Sequence, residues 1–155
     1  MSFDESLFEG NIGEYVVLNY FTHLPTVKDV VDVRDDKFFQ SCDVDFLVMN
    51  IDRQLTWVEI KTDFQAHKTG NFVYECTTSG NIGCFEKTKA QVIAYYVPHS
   101  GNLYLLNVQA LRNYVRHNNL KVVRMGDNAT GYLLDIGDLE RTDVILYKTN
   151  VNKIL

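Results

Sequence analysis

The residues best suited to chemistry lie on two neighbouring apolar segments. Asp45 lies in segment 44–49, and Glu59 and Lys61 lie in segment 55–61. Residues i and i+2 of a strand face the same side, so Glu59 and Lys61 are predicted to point together. If the hairpin register pairs Asp45 with Glu59, their Cβ atoms lie roughly 4.5–5.5 Å apart. The sequence therefore predicts two carboxylates and an ammonium group side by side.

These three side chains suit metal-assisted hydrolysis of a phosphodiester. Two carboxylates that close repel each other unless a positive charge lies between them. Mg²⁺ prefers oxygen ligands, and it would polarise the phosphoryl oxygen and activate a bound water. Lys61 would steady the attacking water or the charge that develops on the phosphate. Glu14, with Glu9 as the second choice, would complete the ligand set from a preceding helix.

A purely structural role is the alternative. A Glu-x-Lys triplet on an exposed strand is usually a surface ion pair, which contributes little to stability. Here Val58 and Ile60 alternate with the charged residues, which favours an inner strand where unpaired charge is costly. A buried ion network formed by Asp45, Glu59 and Lys61 stays open as the competing interpretation.

The elements that position these residues are a first helix and a series of short strands. Apolar residues on most faces predict a buried helix over residues 3–21. Strands are predicted at residues 27–34, 44–49, 55–61, 72–77, 92–97 and 102–108. A short helix or turn is predicted at 86–91, and a helix at 111–117. This order predicts an α/β fold: a single domain, residues 1–155, with a central mixed β-sheet flanked by helices.

The order of a helical Glu, a strand Asp and a Glu-x-Lys triplet resembles the PD-(D/E)XK nuclease superfamily, which includes restriction endonucleases and archaeal-type Holliday-junction resolvases. The matching pieces are Gly13-Glu14, Cys42-Asp43-Val44-Asp45 and Glu59-Ile60-Lys61. The resemblance covers residues 1–97 by element order and only a handful of positions by identity. Val44 stands where the family name has proline, which lowers the specificity of the match.

The resemblance implies a restriction endonuclease-like core and a Mg²⁺-dependent endonuclease that acts on DNA, with Mn²⁺ able to substitute. Structure-selective cleavage of branched or junction DNA is one form of this activity. By the same resemblance, Asp45, Glu59 and the Ile60 carbonyl would bind the metal. Lys61 would act on the water and the phosphate, and Glu14 would bind metal or orient water.

Residues 67–91 resemble a segment of small phage-encoded proteins of the same superfamily, which implies the cytoplasm of a host cell. Lys68, Lys87 and Lys89 lie near glycines in this segment and are predicted to contact a phosphate backbone. Ordinary solvated lysines fit the pattern equally well. Gln91 is a further predicted contact, because some members of the superfamily carry a polar helix residue after the Glu-x-Lys strand.

Composition limits how DNA can be bound. The chain has 15 Lys and Arg against 20 Asp and Glu, a net charge of −5, which excludes binding by bulk electrostatics. DNA would need a local basic patch, or metal ions that reverse the sign of an acidic pocket. Three cysteines without a CxxC pair argue against a disulfide framework and a zinc ribbon. The sequence shows neither a long apolar run nor a secretory signal, so we expect a cytoplasmic protein without a membrane partner.

Two classes of function follow from the sequence. One is the metal-dependent endonuclease, for which a homodimer is a further expectation because twofold symmetry would supply one site for each DNA strand. The other is a non-catalytic module on the same fold that binds nucleic acid or a partner protein. Saturable magnesium binding distinguishes the two, because only the enzyme requires it.

Overall fold

The computed structural model describes the backbone of residues 3–125 and 128–153. Its helices are α1 (Phe3–Thr22), α2 (Lys37–Ser41), α3 (Ala66–Thr69), α4 (Cys84–Lys87), α5 (Val108–His117) and α6 (Ile136–Leu139), with a 3-10 turn at Val151–Lys153. Its strands are β1 (Val27–Asp32), β2 (Phe46–Asn50), β3 (Leu55–Thr62), β4 (Asn71–Thr78), β5 (Asn81–Ile82), β6 (Val92–Val97), β7 (Asn102–Asn107), β8 (Val122–Met125), β9 (Ala129–Asp135) and β10 (Ile145–Asn150). None of these helices is long and apolar enough to span a membrane.

The strands form two sheets. The larger sheet has the order β1-β2-β3-β6-β7-β10, with β3 and β6 parallel and every other pair antiparallel. The smaller sheet is antiparallel, with the order β5-β4-β9-β8. The predicted α/β fold with a central mixed sheet is therefore confirmed. A second sheet, which the sequence did not predict, is added to it.

Both faces of the larger sheet are buried at its central strands, and the alternation of side chains in β6 shows why. Ile93 and Tyr95 pack in a core with the smaller sheet and α5, whereas Ala94 and Tyr96 pack in a core with α1. Successive side chains of a strand point to opposite faces, so a run of apolar residues fills both cores. α1 thus covers one face, and the smaller sheet shares the other face with α5.

The same alternation places the charged residues of β3. Val58 and Ile60 pack against α1, so Glu59 and Lys61 point to the opposite face of the sheet. Lys61 there neighbours Cys84 of α4, a segment that is hydrogen-bonded to the end of β4 through Gly83. The charged pair therefore lies beside the connection between the two sheets.

The observed element boundaries differ from the predicted ones at two informative positions. Segment 44–49 was predicted as a strand, but β2 begins at Phe46, which leaves Asp45 just outside it. Asp43 has a positive φ of 47°, so the chain turns immediately before this point. Helix α5 begins at Val108, three residues before the predicted start at 111, because the Asn107 side chain accepts a hydrogen bond from the Ala110 N–H.

A close approach between α1 and the end of β3 leads to a first prediction. A methyl group at Gly13 would overlap the Thr62 hydroxyl and lie 2.9 Å from Thr62 Cβ. We expect Gly13→Ala to lower the free energy of unfolding by about 1–3 kcal/mol, although alanine is the better helix former. Urea unfolding followed by circular dichroism measures this change. Gly13→Ala should cost less stability when it is combined with Thr62→Gly, because the overlapping side chain is then absent. Equal losses with Thr62 and with glycine at this position would contradict the contact.

Candidate functional site

Asp45 is fixed by two hydrogen bonds to strand β3. Its main-chain N–H donates to the Val58 carbonyl at 2.9 Å, and its Oδ2 accepts from the Ile60 N–H at 2.8 Å. Regular pairing of β2 with β3 ends at Phe46 and Val58. Beyond that point the Asp45 carboxylate, in place of a main-chain carbonyl of β2, accepts the hydrogen bond from the Ile60 N–H. This hydrogen bond orients Asp45 beside Glu59.

The two carboxylates form a coupled pair, in which Glu59 is buried and Asp45 is partly buried. Glu59 is only 7% exposed, and its carboxyl group lies within hydrogen-bonding reach of Asp45. Burial, followed by the charge of Asp45, raises the pKa of Glu59 to about 9. Burial also raises the pKa of Asp45, against the opposing effect of the hydrogen bond from Ile60. The pair therefore retains a proton near neutral pH, and a cation in the same place would replace that proton.

Lys61 provides a positive charge at the edge of this pair. Its Nζ lies 3.6 Å from Glu59 Oε1, and its side chain remains 30% exposed. Burial lowers the pKa of Lys61, but its contact with the Cys84 side chain and the charge of Glu59 outweigh burial, so the net pKa is raised. Lys61 is therefore a cation that is held by Glu59 and still open to a ligand.

Cys84 is a neighbour of Lys61 that sequence reasoning missed. No local pattern links the two residues, because tertiary packing of α4 brings them together. Burial raises the pKa of the Cys84 thiol to about 12, so the group stays protonated and is a poor nucleophile. Its contribution to the site is contact with Lys61.

The Ile60 carbonyl points toward the same site. The Ile60 N–H faces Asp45, whereas the Trp57 carbonyl faces the other neighbouring strand and accepts from the Gln91 N–H at 3.0 Å. The N–H and C=O groups of one strand residue point the same way, so the Ile60 carbonyl lies on the side of Asp45, beyond the start of β2.

This donor set suits a hard divalent cation. Asp45, Glu59 and the Ile60 carbonyl are all oxygen donors, and Mg²⁺ characteristically binds one or two carboxylates and completes its shell with water. In the described part of the chain, no three His, Cys, Asp or Glu side chains converge as a metal site. The described residues therefore fit a cation held by two carboxylates and a carbonyl.

Glu14 is not brought into this set. Its carboxylate is paired with Arg34, which also donates to both carboxylate oxygens of Asp32 at 2.9 and 2.6 Å. Burial raises the pKa of Glu14, Arg34 opposes this, and the charge of Asp45 raises it further. Sequence reasoning missed Arg34, which lies 20 residues from Glu14 along the chain. The side chain of Glu9 lies outside the described residues.

The four predicted phosphate contacts are distributed around the site. Lys87 is engaged by Asp43, with Nζ 2.8 Å from Oδ1, while Lys68 and Lys89 are exposed. Gln91 precedes β6 and is not helical, so the helix position implied for it is wrong. Its side chain accepts a hydrogen bond of 2.6 Å from the Trp57 N–H. Contact of these four residues with nucleic acid stays a prediction.

Comparison with known proteins gives a structural match only. No protein-family model matches the sequence, and no curated protein matches it significantly. The bacterial homing endonuclease I-Ssp6803I is similar in structure, with a TM-score of 0.51 and 16% sequence identity, over 77% of this chain and 79% of that chain. This chain therefore shares the fold of that protein over the matched region. At that level of identity the likeness shows the fold alone, so chemistry must be argued from the residues of this chain.

Proposed function

We propose that this protein is a Mg²⁺-dependent endodeoxyribonuclease of the PD-(D/E)XK type, in which Asp45, Glu59 and the Ile60 carbonyl hold the metal and Mn²⁺ can substitute. The observation that carries the proposal is the buried Glu59 of the inner strand β3 beside the partly buried Asp45 and beside Lys61, with the pKa values of both carboxyl groups raised. Buried carboxylates with perturbed pKa values are typical of functional sites.

Each residue has a distinct role in the proposed reaction. A bound Mg²⁺ would supply an activated water and neutralise charge on the phosphate. The Ile60 N–H keeps Asp45 oriented, and Glu59 and Asp45 give up their shared proton when a cation binds, so affinity for metal rises with pH. The Lys61 ammonium group, on a side chain that is 30% exposed, donates to the phosphate oxygens as negative charge develops there.

Glu14 is proposed to act from the edge of the site. Its pairing with Arg34 and its absence from a three-ligand cluster argue against direct ligation. The charge of Asp45 nevertheless raises the pKa of Glu14, so the two carboxyl groups are electrostatically linked. In this position Glu14 would orient water, which is one of the two roles that the resemblance implies.

A binding module on the same fold is the second candidate. It is favoured by the lack of a third carboxylate ligand among the described residues and by the net charge of −5. In that case Asp45, Glu59 and Lys61 would form a structural ion network, whose partners are retained because breaking a buried pair is costly. Saturable binding of Mg²⁺ or Mn²⁺ would exclude this candidate.

The decisive experiment is a cleavage panel. Purified protein is incubated with labelled linear duplex, single-stranded, flapped and four-way-junction DNA in Mg²⁺, Mn²⁺ or EDTA. We expect cleavage in either metal and none in EDTA, with the preferred DNA structure naming the substrate class. Absence of cleavage on every substrate would contradict the proposal. Two cuts at symmetric positions of a junction would support the predicted homodimer.

A further inference from the structure

A cleft of about 410 Å³ lies beside the start of β6 and α5, apart from the carboxylate pair. Its lining contains two cations and no acidic residue, although the chain as a whole has a net charge of −5. Its polar lining residues are Thr88, Lys89, Gln91, Asn107, Gln109 and Arg112. The cleft is therefore a locally positive region on a protein whose net charge is negative. A local positive region of this kind is what such a protein needs to bind nucleic acid.

Arg112 is held in place without being neutralised. Its Nε donates to the Phe85 carbonyl at 3.0 Å, and its Nη2 donates to the carbonyls of Glu86 and Thr88 at 3.2 and 2.7 Å. Across the described residues no carboxylate forms a salt bridge with it. Carbonyl partners orient a guanidinium group but leave its positive charge available to a ligand.

Lys89 supplies the second charge from a fixed loop. Its main-chain N–H donates to the Cys42 carbonyl at 2.8 Å, which anchors the backbone while the side chain stays exposed. The amide side chains of Gln91, Asn107 and Gln109 line the rest of the cleft. A guanidinium and an ammonium group surrounded by neutral polar groups suit an anion with several oxygens, and phosphate is the common ligand of this kind.

The cleft is connected to the carboxylate pair through the backbone. The Thr88 hydroxyl donates to the Asp43 carbonyl at 2.5 Å, and Gln91 exchanges two hydrogen bonds with Trp57. Trp57 precedes Glu59 by two residues, which is roughly 7 Å along a strand. A nucleic-acid strand that places one phosphate at the carboxylate pair can therefore place a nearby phosphate in the cleft.

We propose that this cleft binds a backbone phosphate of the nucleic-acid strand, close to the phosphate that is cleaved, and that Lys89 and Arg112 provide its charge. This inference rests on the proposed nuclease function, because it assigns the bound phosphate to the same strand. It adds Arg112 and Gln109 to the predicted contacts Lys89 and Gln91.

Two substitutions test the cleft without disturbing the carboxylates. Lys89→Glu reverses an exposed charge, and Gln109→Glu introduces a negative charge in the first turn of α5, where an acidic residue suits the helix. Lys28→Glu, on the exposed side of β1, makes the same charge change as Lys89→Glu at the far edge of the larger sheet. Arg112 is left intact because it supports the loop through three carbonyls.

The measurement is fluorescence anisotropy with labelled duplex and single-stranded DNA in EDTA, which prevents metal-dependent cutting, over a series of salt concentrations. We expect each cleft variant to bind DNA at least about tenfold more weakly than Lys28→Glu does. The slope of log affinity against log salt concentration should fall by about the value of one phosphate contact. Melting temperatures measured in parallel confirm that each variant is folded.

The outcomes separate this inference from the proposed function. If wild-type protein binds DNA and both cleft variants bind as tightly as the control, the cleft is overturned and the nuclease proposal stands. If the variants lose binding but wild-type protein cuts no DNA in Mg²⁺, the cleft stands and the nuclease proposal fails. If wild-type protein binds neither DNA in EDTA, the cleft is overturned, and the nuclease proposal is decided by the cleavage panel in Mg²⁺ and Mn²⁺.

Discussion

Lys61→Ala should lower the rate of metal-dependent DNA cleavage by at least about 10²–10³-fold, the usual cost of removing one donor that stabilises transition-state charge. The Lys61 ammonium group is held 3.6 Å from Glu59 Oε1 and is partly open to solvent, so it can reach a phosphate oxygen beside the metal. Single-turnover kinetics at saturating protein concentration measure the chemical step without a contribution from binding.

Lys28→Ala is the matched control for this loss. Lys28 is an exposed lysine of β1 at the edge of the larger sheet, so its removal changes the net charge equally and leaves the site intact. We expect Lys28→Ala to cut DNA at the wild-type rate and Lys61→Ala to retain the wild-type fold. A Lys61→Ala variant that cuts as fast as the control would refute the role assigned to the ammonium group.

The site could be predicted from the sequence to the extent that it depends on short-range order. Alternation around Val58 and Ile60 indicates an inner strand, and the period of two then requires Glu59 and Lys61 to share a face. A short hairpin loop similarly brings Asp45 close to Glu59. These inferences use contacts within a single hairpin, where sequence spacing restricts geometry.

The parts that the sequence did not predict depend on contacts between distant segments. Strand β4 pairs with β9 through contacts such as Asn71 with Asp135, and pairing over such a separation has no local signal. The ion pair between Arg34 and Glu14 also joins residues that are far apart in the sequence. So does the cleft, where Arg112 donates a hydrogen bond to the Thr88 carbonyl in the loop before β6. Asp45 was placed in the strand because its neighbours are apolar, yet its side chain replaces a ladder hydrogen bond.

Glu59→Gln should remove most of the loss of stability that the metal-free protein shows as the pH rises toward about 9. The pKa of Glu59 is about 9 in the fold against an ordinary value of 4.5. Between these two pH values the folded state binds more protons than the unfolded state, so the free energy of unfolding decreases as pH rises. Glutamine cannot lose a proton, and this decrease should disappear.

Mg²⁺ should counteract the loss of stability that the metal-free wild-type protein shows as the pH rises. A cation that binds the deprotonated pair stabilises the folded state by mass action, and the gain should be larger at about pH 9 than at about pH 6, because less proton must be displaced. Melting temperatures with and without Mg²⁺ at both pH values test this for wild type, Glu59→Gln and the exposed control Asp52→Asn. We expect the metal-dependent rise in melting temperature in the wild type and in the control only.

Identical pH profiles of stability for the wild type and Glu59→Gln would show that Glu59 carries its charge without cost. The pair would then be the structural ion network of the competing interpretation.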